Sequence, residues 1–242
     1  MNNKIRTTIL GGLLSASLAA PAIAGDFSNP IASTGSGLSL PSFGAGAVSV
    51  SAGYHTDYIW RGQNLGSDLV DWSIEATTSL AGFDLTAGVW AARFNSGGEE
   101  VDVYASASKE LGFATVEVGY ILYYFDNATS DNTQEVYLGL SKEVAGFGLS
   151  ATSYYDFDQI DEFYTELGVE KSFTLGGFGA VDASVVAGIN DNAQFTHVQG
   201  TLSKSYDLNS AVSVTPYVSY SNALNSSVDD EFVAGASLGF SF

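Results

Sequence analysis

Residues 231–242 read EFVAGASLGFSF, and the alternation in this stretch decides the fold. Successive side chains of a strand point to opposite faces. Phe232, Ala234, Ala236, Leu238, Phe240 and Phe242 therefore share one face, and Val233, Gly235, Ser237, Gly239 and Ser241 share the other. One face is oily throughout. Alternation of this kind suits the core of a soluble sandwich as well as a wall facing lipid, so the choice rests on the stretches around it.

From Ala47 onward the same pattern recurs between turn residues. Val48, Val50, Ala52, Tyr54, Tyr58 and Trp60 fall on one face of the first run. After the turn RGQNLGSD, Val70, Trp72, Ile74, Ala76 and Leu80 do the same. Later runs repeat it, among them Val116, Val118, Tyr120 and Leu122, then Val181, Ala183, Val185 and Ala187. Helical periodicity is absent. The runs predict about twelve strands, an even number as bacterial barrels have. Their connections sort by parity. One set is tight and lies near Lys109, Lys142, Lys171 and Lys204, whereas the other is polar and mostly acidic, as in 126–133, 158–162 and 221–230. An up-and-down meander produces that sorting and a Greek-key sandwich does not. The expected fold is all-β, a transmembrane antiparallel up-and-down β-barrel over residues 47–242, with the lysine-bearing turns periplasmic.

The front of the chain agrees. Lys4 and Arg6 precede an apolar run from Ile9 to Ala20 and a small-residue site at Ala22-Ile23-Ala24, the pattern of a cleaved signal peptide over residues 1–24. No segment approaches the roughly 20 apolar residues of a spanning helix, so a membrane location means strands. Residues 25–46 are rich in Gly, Ser and Pro and read as a flexible periplasmic leader, with a lumen plug as the alternative. The sequence holds 8 basic and 27 acidic residues; removing Lys4 and Arg6 with an acid-free signal leaves 6 against 27, a net charge of -21. Such a surface excludes nucleic acid as a partner. Hydrophobic residues make up 45% of the chain, which excludes acidic disorder, and without cysteine there is neither disulfide nor thiolate chemistry.

Charge on the lipid face is costly, so the charged residues of the strands are expected inside. The residues assigned to the lumen are Asp57, Arg61, Asp71, Glu75, Glu100, Asp102, Glu117, Glu135, Glu166 and Asp182, with Asp156 and Glu170 on the same face. Arg61 is expected to pair with Asp57 or Asp71 near the outer mouth. Rings of acids around a water-filled pore favour cations. The expected function is passive diffusion of small cationic or neutral solutes. The alternative is a non-conducting structural or adhesive barrel whose lumen is filled by Trp90, Tyr104, Tyr137, Tyr154, Tyr164 and Tyr217. Catalysis is not expected, because neither His55 nor His197 has a serine two residues on. The oxygen-rich 126–132 lacks the glycine and terminal glutamate of a calcium loop, so neither a metal nor another cofactor is expected.

Several segments resemble the TorF family of porins: Thr56-Asp57-Tyr58-Ile59-Trp60-Arg61-Gly62, Ala87-Gly88-Val89-Trp90-Ala91, Glu100-Val101-Asp102-Val103-Tyr104-Ala105, Gly119-Tyr120-Ile121-Leu122-Tyr123-Tyr124 and Glu135-Val136-Tyr137-Leu138-Gly139-Leu140. They follow the family's order over about two-thirds of the mature chain, and the resemblance implies a porin-type barrel without an established substrate. The last strand, Phe232 to Phe242, is similar to the signal that outer-membrane assembly machinery recognises. The expected location is the Gram-negative outer membrane, with lipid bilayer, lipopolysaccharide and small solutes as partners. On this reading the mature chain requires detergent and runs at a different gel mobility before and after boiling; purification without detergent and an unchanged mobility would return the soluble sandwich.

Overall fold

The computed structural model describes residues 46–95, 98–126 and 132–241. The expected signal peptide lies outside the described residues, as does the expected leader apart from Gly46, which opens the first strand. The strands are β1 (Gly46–Trp60), β2 (Gln63–Leu80), β3 (Phe83–Phe94), β4 (Gly98–Glu110), β5 (Thr115–Phe125), β6 (Thr133–Val144) and β7 (Phe147–Asp156). They continue with β8 (Glu162–Thr174), β9 (Ala180–Ile189), β10 (Phe195–Ser203), β11 (Tyr206–Asn209), β12 (Val212–Ala223) and β13 (Glu231–Ser241). Each is antiparallel to its neighbours, and β13 returns to pair with β1 from Ser49↔Ser241 to His55↔Gly235.

β10 and β11 both pair with β12 and occupy one place in the wall, so thirteen segments make a closed barrel of twelve strand positions. The break at Lys204 and Ser205 has a cause on the opposite strand. Pro216 of β12 carries no amide hydrogen, and its carbonyl still accepts from Lys204 N at 3.2 Å. The missing donor is thereby placed at the gap rather than in a continuous ladder.

The tight turns explain the expected meander. Ala81-Gly82 and Ala145-Gly146 have positive φ at both residues, 54° and 78°, then 54° and 76°. That backbone matches the strand twist in a two-residue hairpin. Arg61-Gly62 turns the same way, with φ of 47° and 80°. The expected eight-residue turn 61–68 is therefore two residues long, and β2 already begins at Gln63.

Outside, the wall is apolar. Val70, Trp72, Ile74, Val103, Val118, Leu138, Leu149, Val169, Leu202 and Leu238 are all exposed, far more apolar surface than a soluble monomer presents. Its two rims differ chemically. At the loop end, Tyr54 donates to Asp68 at 2.6 Å, Tyr220 to Asp230 at 3.0 Å and Tyr155 to Asp161. At the turn end, Lys109 Nζ lies 4.5 Å from the Phe83 ring, Lys171 Nζ 3.8 Å from Phe147 and Lys204 Nζ 4.2 Å from Phe178. Lysine stems cover apolar surface while their ammonium groups reach the headgroup level.

The wall gives way at one place. The β1–β13 ladder stops at His55↔Gly235 and the β2–β3 ladder stops at Val70↔Arg93. Above those points β1 and β2 stay paired with each other up to Trp60↔Gln63, with a register shift between Tyr58 and Ile59. The hairpin 56–69 thus leaves both ladders, and on the β3 side it is held by Asn95, whose N donates to Ser67 O at 2.8 Å and whose Nδ2 donates to Asp68 at 3.2 Å. Its flank is patched by Thr56 Oγ1, which accepts from Ala234 N at 3.1 Å, and by Asn64 Nδ2, which donates to Glu231 at 3.2 Å. Tyr58 and Trp60, expected on the oily face, are instead buried in the lumen. The change of face lies between His55 and Tyr58, both buried though three residues apart, where the ladder to β13 has ended and β1 is no longer held flat in the wall. The register shift follows Tyr58 and places its extra residue, Leu65, on β2.

Inside, tyrosines lie flat across inward glycines of the next strand. Gly88 pairs with Tyr104, Gly119 with Tyr137 and Gly235 with Tyr217. A Cβ added at any of these three glycines would fall within 3.0 Å of the tyrosine ring. Overpacking of this kind costs about 1–3 kcal/mol. Gly119→Val is expected to lower stability by about that amount in urea titrations of the folded barrel, and an unchanged midpoint would show that Tyr137 has room to move.

Candidate functional site

The inward residues of the outer half form one buried layer. Tyr123 and Ile121 of β5 are 0% exposed, and Glu100 and Asp102 of β4 and Glu135 of β6 are each 1% exposed. Tyr58, Trp60, Trp90, Tyr104, Tyr137, Tyr154 and Tyr164 complete it. Toward the turn end the same strands carry small residues. There Ser51 meets Ser73 at 2.7 Å and Thr201 meets Ser219 at 3.0 Å. The lumen is therefore filled at one end and lined by small polar groups at the other.

The acids of this layer are mostly held by neutral donors. Trp90 Nε1 donates to Asp71 at 2.8 Å, and His55 Nε2 is 3.1 Å from its other oxygen. His55 Nδ1 lies 2.8 Å from Tyr217 Oη, so this group ties β1, β2, β3 and β12 together. Tyr58 donates to Glu100 at 3.1 Å, Tyr104 to Glu75 at 3.0 Å, Tyr137 to Glu117 at 2.6 Å and Tyr123 to Glu135 at 3.1 Å. The expected acid rings around open water are thus, in this layer, acids capped by tyrosine.

Arg61 sits at the tip of the hairpin and does not pair with Asp57 or Asp71. Its Nη2 donates to both carboxylate oxygens of Glu135, at 3.1 and 3.0 Å. The guanidinium carbon lies 4.1 Å from the Tyr164 ring centre, 4.6 Å from Trp60 and 5.1 Å from Tyr154. Only 10% of the side chain is exposed. The next residue fixes how deep the tip goes. A Cβ on Gly62 would fall 2.7 Å from His197 Cγ, so only glycine lets the turn seat against β10.

The other assigned residues scatter. Asp57 stays half-buried on the hairpin flank, 3.4 Å from Asn64 Nδ2. Glu166 is half-buried on β8, and Asp182 sits exposed at the start of β9, where Ser172 donates to it. Asp156 caps a turn, accepting from the amides of Asp158, Gln159 and Ile160. In the β12–β13 loop, Asp230 accepts from Ala223 N, Tyr220 and Asn222, which hold its carboxyl below the usual range. His197 contacts Thr196 Oγ1 at 3.0 Å, and neither histidine is bonded to a serine. Among the described residues no group of three or more acids and histidines could hold a metal ion.

Asp102 differs from its neighbours. Among the described residues no N–H or hydroxyl donor reaches either of its carboxylate oxygens, and its polar neighbour is the carboxyl of Glu100. Its cross-strand neighbours are Trp90 and Tyr123, so it stands between two aromatic side chains.

No protein-family model matches the chain, and no curated protein matches it. Among solved structures, the KdgM porin in complex with disordered oligogalacturonate superposes with a TM-score of 0.53 at 14% identity, over 80% of this chain and 99% of that one. This chain has a porin-type barrel. The COG4313 outer membrane channel from Pseudomonas putida F1 superposes with a TM-score of 0.52 at 9% identity, over 84% and 98% of the two chains. At these identities the likeness is one of fold.

Asp102 gives the direct check on the layer's electrostatics. A buried polar group without a partner costs about 1–3 kcal/mol, more when charged. Asp102→Leu is therefore expected to raise stability by about 1–3 kcal/mol, read from urea midpoints; a fall of that size would show that the carboxylate has a partner such as bound water.

Proposed function

We propose that this chain is an outer-membrane channel, akin to the TorF porins, that passes small cationic or neutral solutes by passive diffusion and is held at low conductance by its inward hairpin. The observation that carries this reading is the acid content of the inner layer: it holds Asp71, Glu75, Glu100, Asp102, Glu117 and Glu135, and among the described residues Arg61, bonded to Glu135, is its one arginine or lysine. Acids inside low-dielectric walls attract cations and repel anions. The small polar residues at the turn end give a solute room to leave. On this reading the chain is not an enzyme and the lumen residues act as a selectivity layer. The apolar belt meets the bilayer, the tyrosine rim meets lipopolysaccharide, and residues Phe232 to Phe242 serve the assembly machinery after the signal peptide is cleaved.

One observation favours a second reading. Side chains that are 0% exposed across the lumen, such as Tyr123 and Ile121, suit a structural barrel that never conducts. Planar bilayers under a salt gradient decide between the two. Small currents with a cation-selective reversal potential are expected, anion preference would overturn the channel's stated selectivity, and silence of both the wild type and Arg61→Ala would establish the structural barrel.

A further inference from the structure

The place that Arg61 occupies has the composition of a ligand site. The Glu135 carboxylate and the rings of Trp60, Tyr154 and Tyr164 converge on one planar cation from β6, β1, β7 and β8, and Tyr123 of β5 donates to that carboxylate. None of these groups except Trp60 belongs to the hairpin that carries Arg61. The wall therefore supplies the receptor and the hairpin supplies the occupant. We propose that this is a recognition site for solutes bearing a guanidinium group, and that Arg61 fills it as a tethered stand-in which such a solute displaces, swinging the hairpin out of the mouth.

Three features of the site support exchange rather than a fixed strut. Guanidinium is flat, donates through several N–H groups and stacks on aromatic rings, whereas an ammonium is a compact and strongly hydrated charge. A site whose wall offers the Tyr154 and Tyr164 rings and the Glu135 carboxylate discriminates in that direction. The charge around it also demands replacement. Glu135 is 1% exposed and bonded to Arg61, so the departure of Arg61 leaves a buried acid that must take up another cation or a proton. Finally, the hairpin 56–69 lies outside the β-ladders of its neighbours above His55 and Val70. The bonds that hold it to them are single ones, Asn95 N to Ser67 O, Asn95 Nδ2 to Asp68, Ala234 N to Thr56 Oγ1 and Asn64 Nδ2 to Glu231, which its movement exchanges for water while the ladders stay intact.

A tethered occupant competes with every free ligand through its high effective concentration. Removing it should reveal the site. The probe is ethylguanidinium chloride, with ethylammonium chloride at equal ionic strength as control, and the samples are the wild type, Arg61→Ala and the double variant Arg61→Ala/Glu135→Gln, each confirmed as a folded barrel by its gel mobility before boiling. Calorimetry in detergent is expected to show at least tenfold tighter ethylguanidinium binding to Arg61→Ala than to the wild type, at least tenfold preference over ethylammonium, and loss of both in the double variant. Equal binding of the two probes, or no gain on removing Arg61, overturns the site. If the double variant does not fold, Arg61→Ala with Tyr164→Leu replaces it, with the same expected loss.

This inference rests on the channel reading only for the movement of the hairpin. In bilayers, ethylguanidinium on the loop side should raise wild-type open probability about tenfold and block current through Arg61→Ala. Binding without any current sinks the channel and keeps the site; current without guanidinium preference sinks the site and keeps the channel.

Discussion

Within hydrocarbon every backbone amide must find its partner inside the protein, and this requirement governs the whole structure. It forces β13 back onto β1, since an open sheet edge in lipid would leave a row of groups unsatisfied. Closure then assigns the faces. Outward positions must be apolar, so nearly every charge of the strands is turned inward, where it has to be hydrated, paired or covered. The tyrosines that lie over glycines and donate to Glu75 and Glu117 are the consequence, because they fill space and satisfy acids with the same side chain.

The sequence pattern gives away whatever depends on neighbours in the chain. The period of two identifies the strands, the parity of the connections identifies the meander, and the acids fall inside because the apolar stripe fixes which side is out. Readings fail where contacts cross the lumen. Arg61 and Glu135 are separated by 74 positions, and no spacing or periodicity relates them. Tyr58 and Trp60 depart from the alternation because β1 leaves its ladder with β13 after His55, which the local pattern does not mark. The signal available was Gly62: a positive-φ glycine after a residue itself held at φ 47° marks a tight turn inside what reads as a long polar loop.

The two rims of the belt differ because they meet different water. Tyrosine hydroxyls tipped toward Asp68, Asp161 and Asp230 place negative charge at the loop end, and lysines laid over phenylalanine rings place positive charge at the turn end. The barrel thereby carries opposite charge at its two rims. The lumen continues that difference, with acids concentrated toward the loop end.

The inward hairpin also shortens the seam. β1 and β2 pair from Gly46↔Thr78 to Trp60↔Gln63, whereas β1 and β13 pair only from Ser49 to His55, the rest of that junction being held by Thr56 and Asn64. Every other junction joins segments close in sequence and forms early, while this one brings together residues about 180 apart and pays the loop-closure entropy of the entire chain. By that argument the barrel is expected to assemble as a ribbon that zips from turn to turn, with the ladder between β1 and β13 the last to form and the first to open.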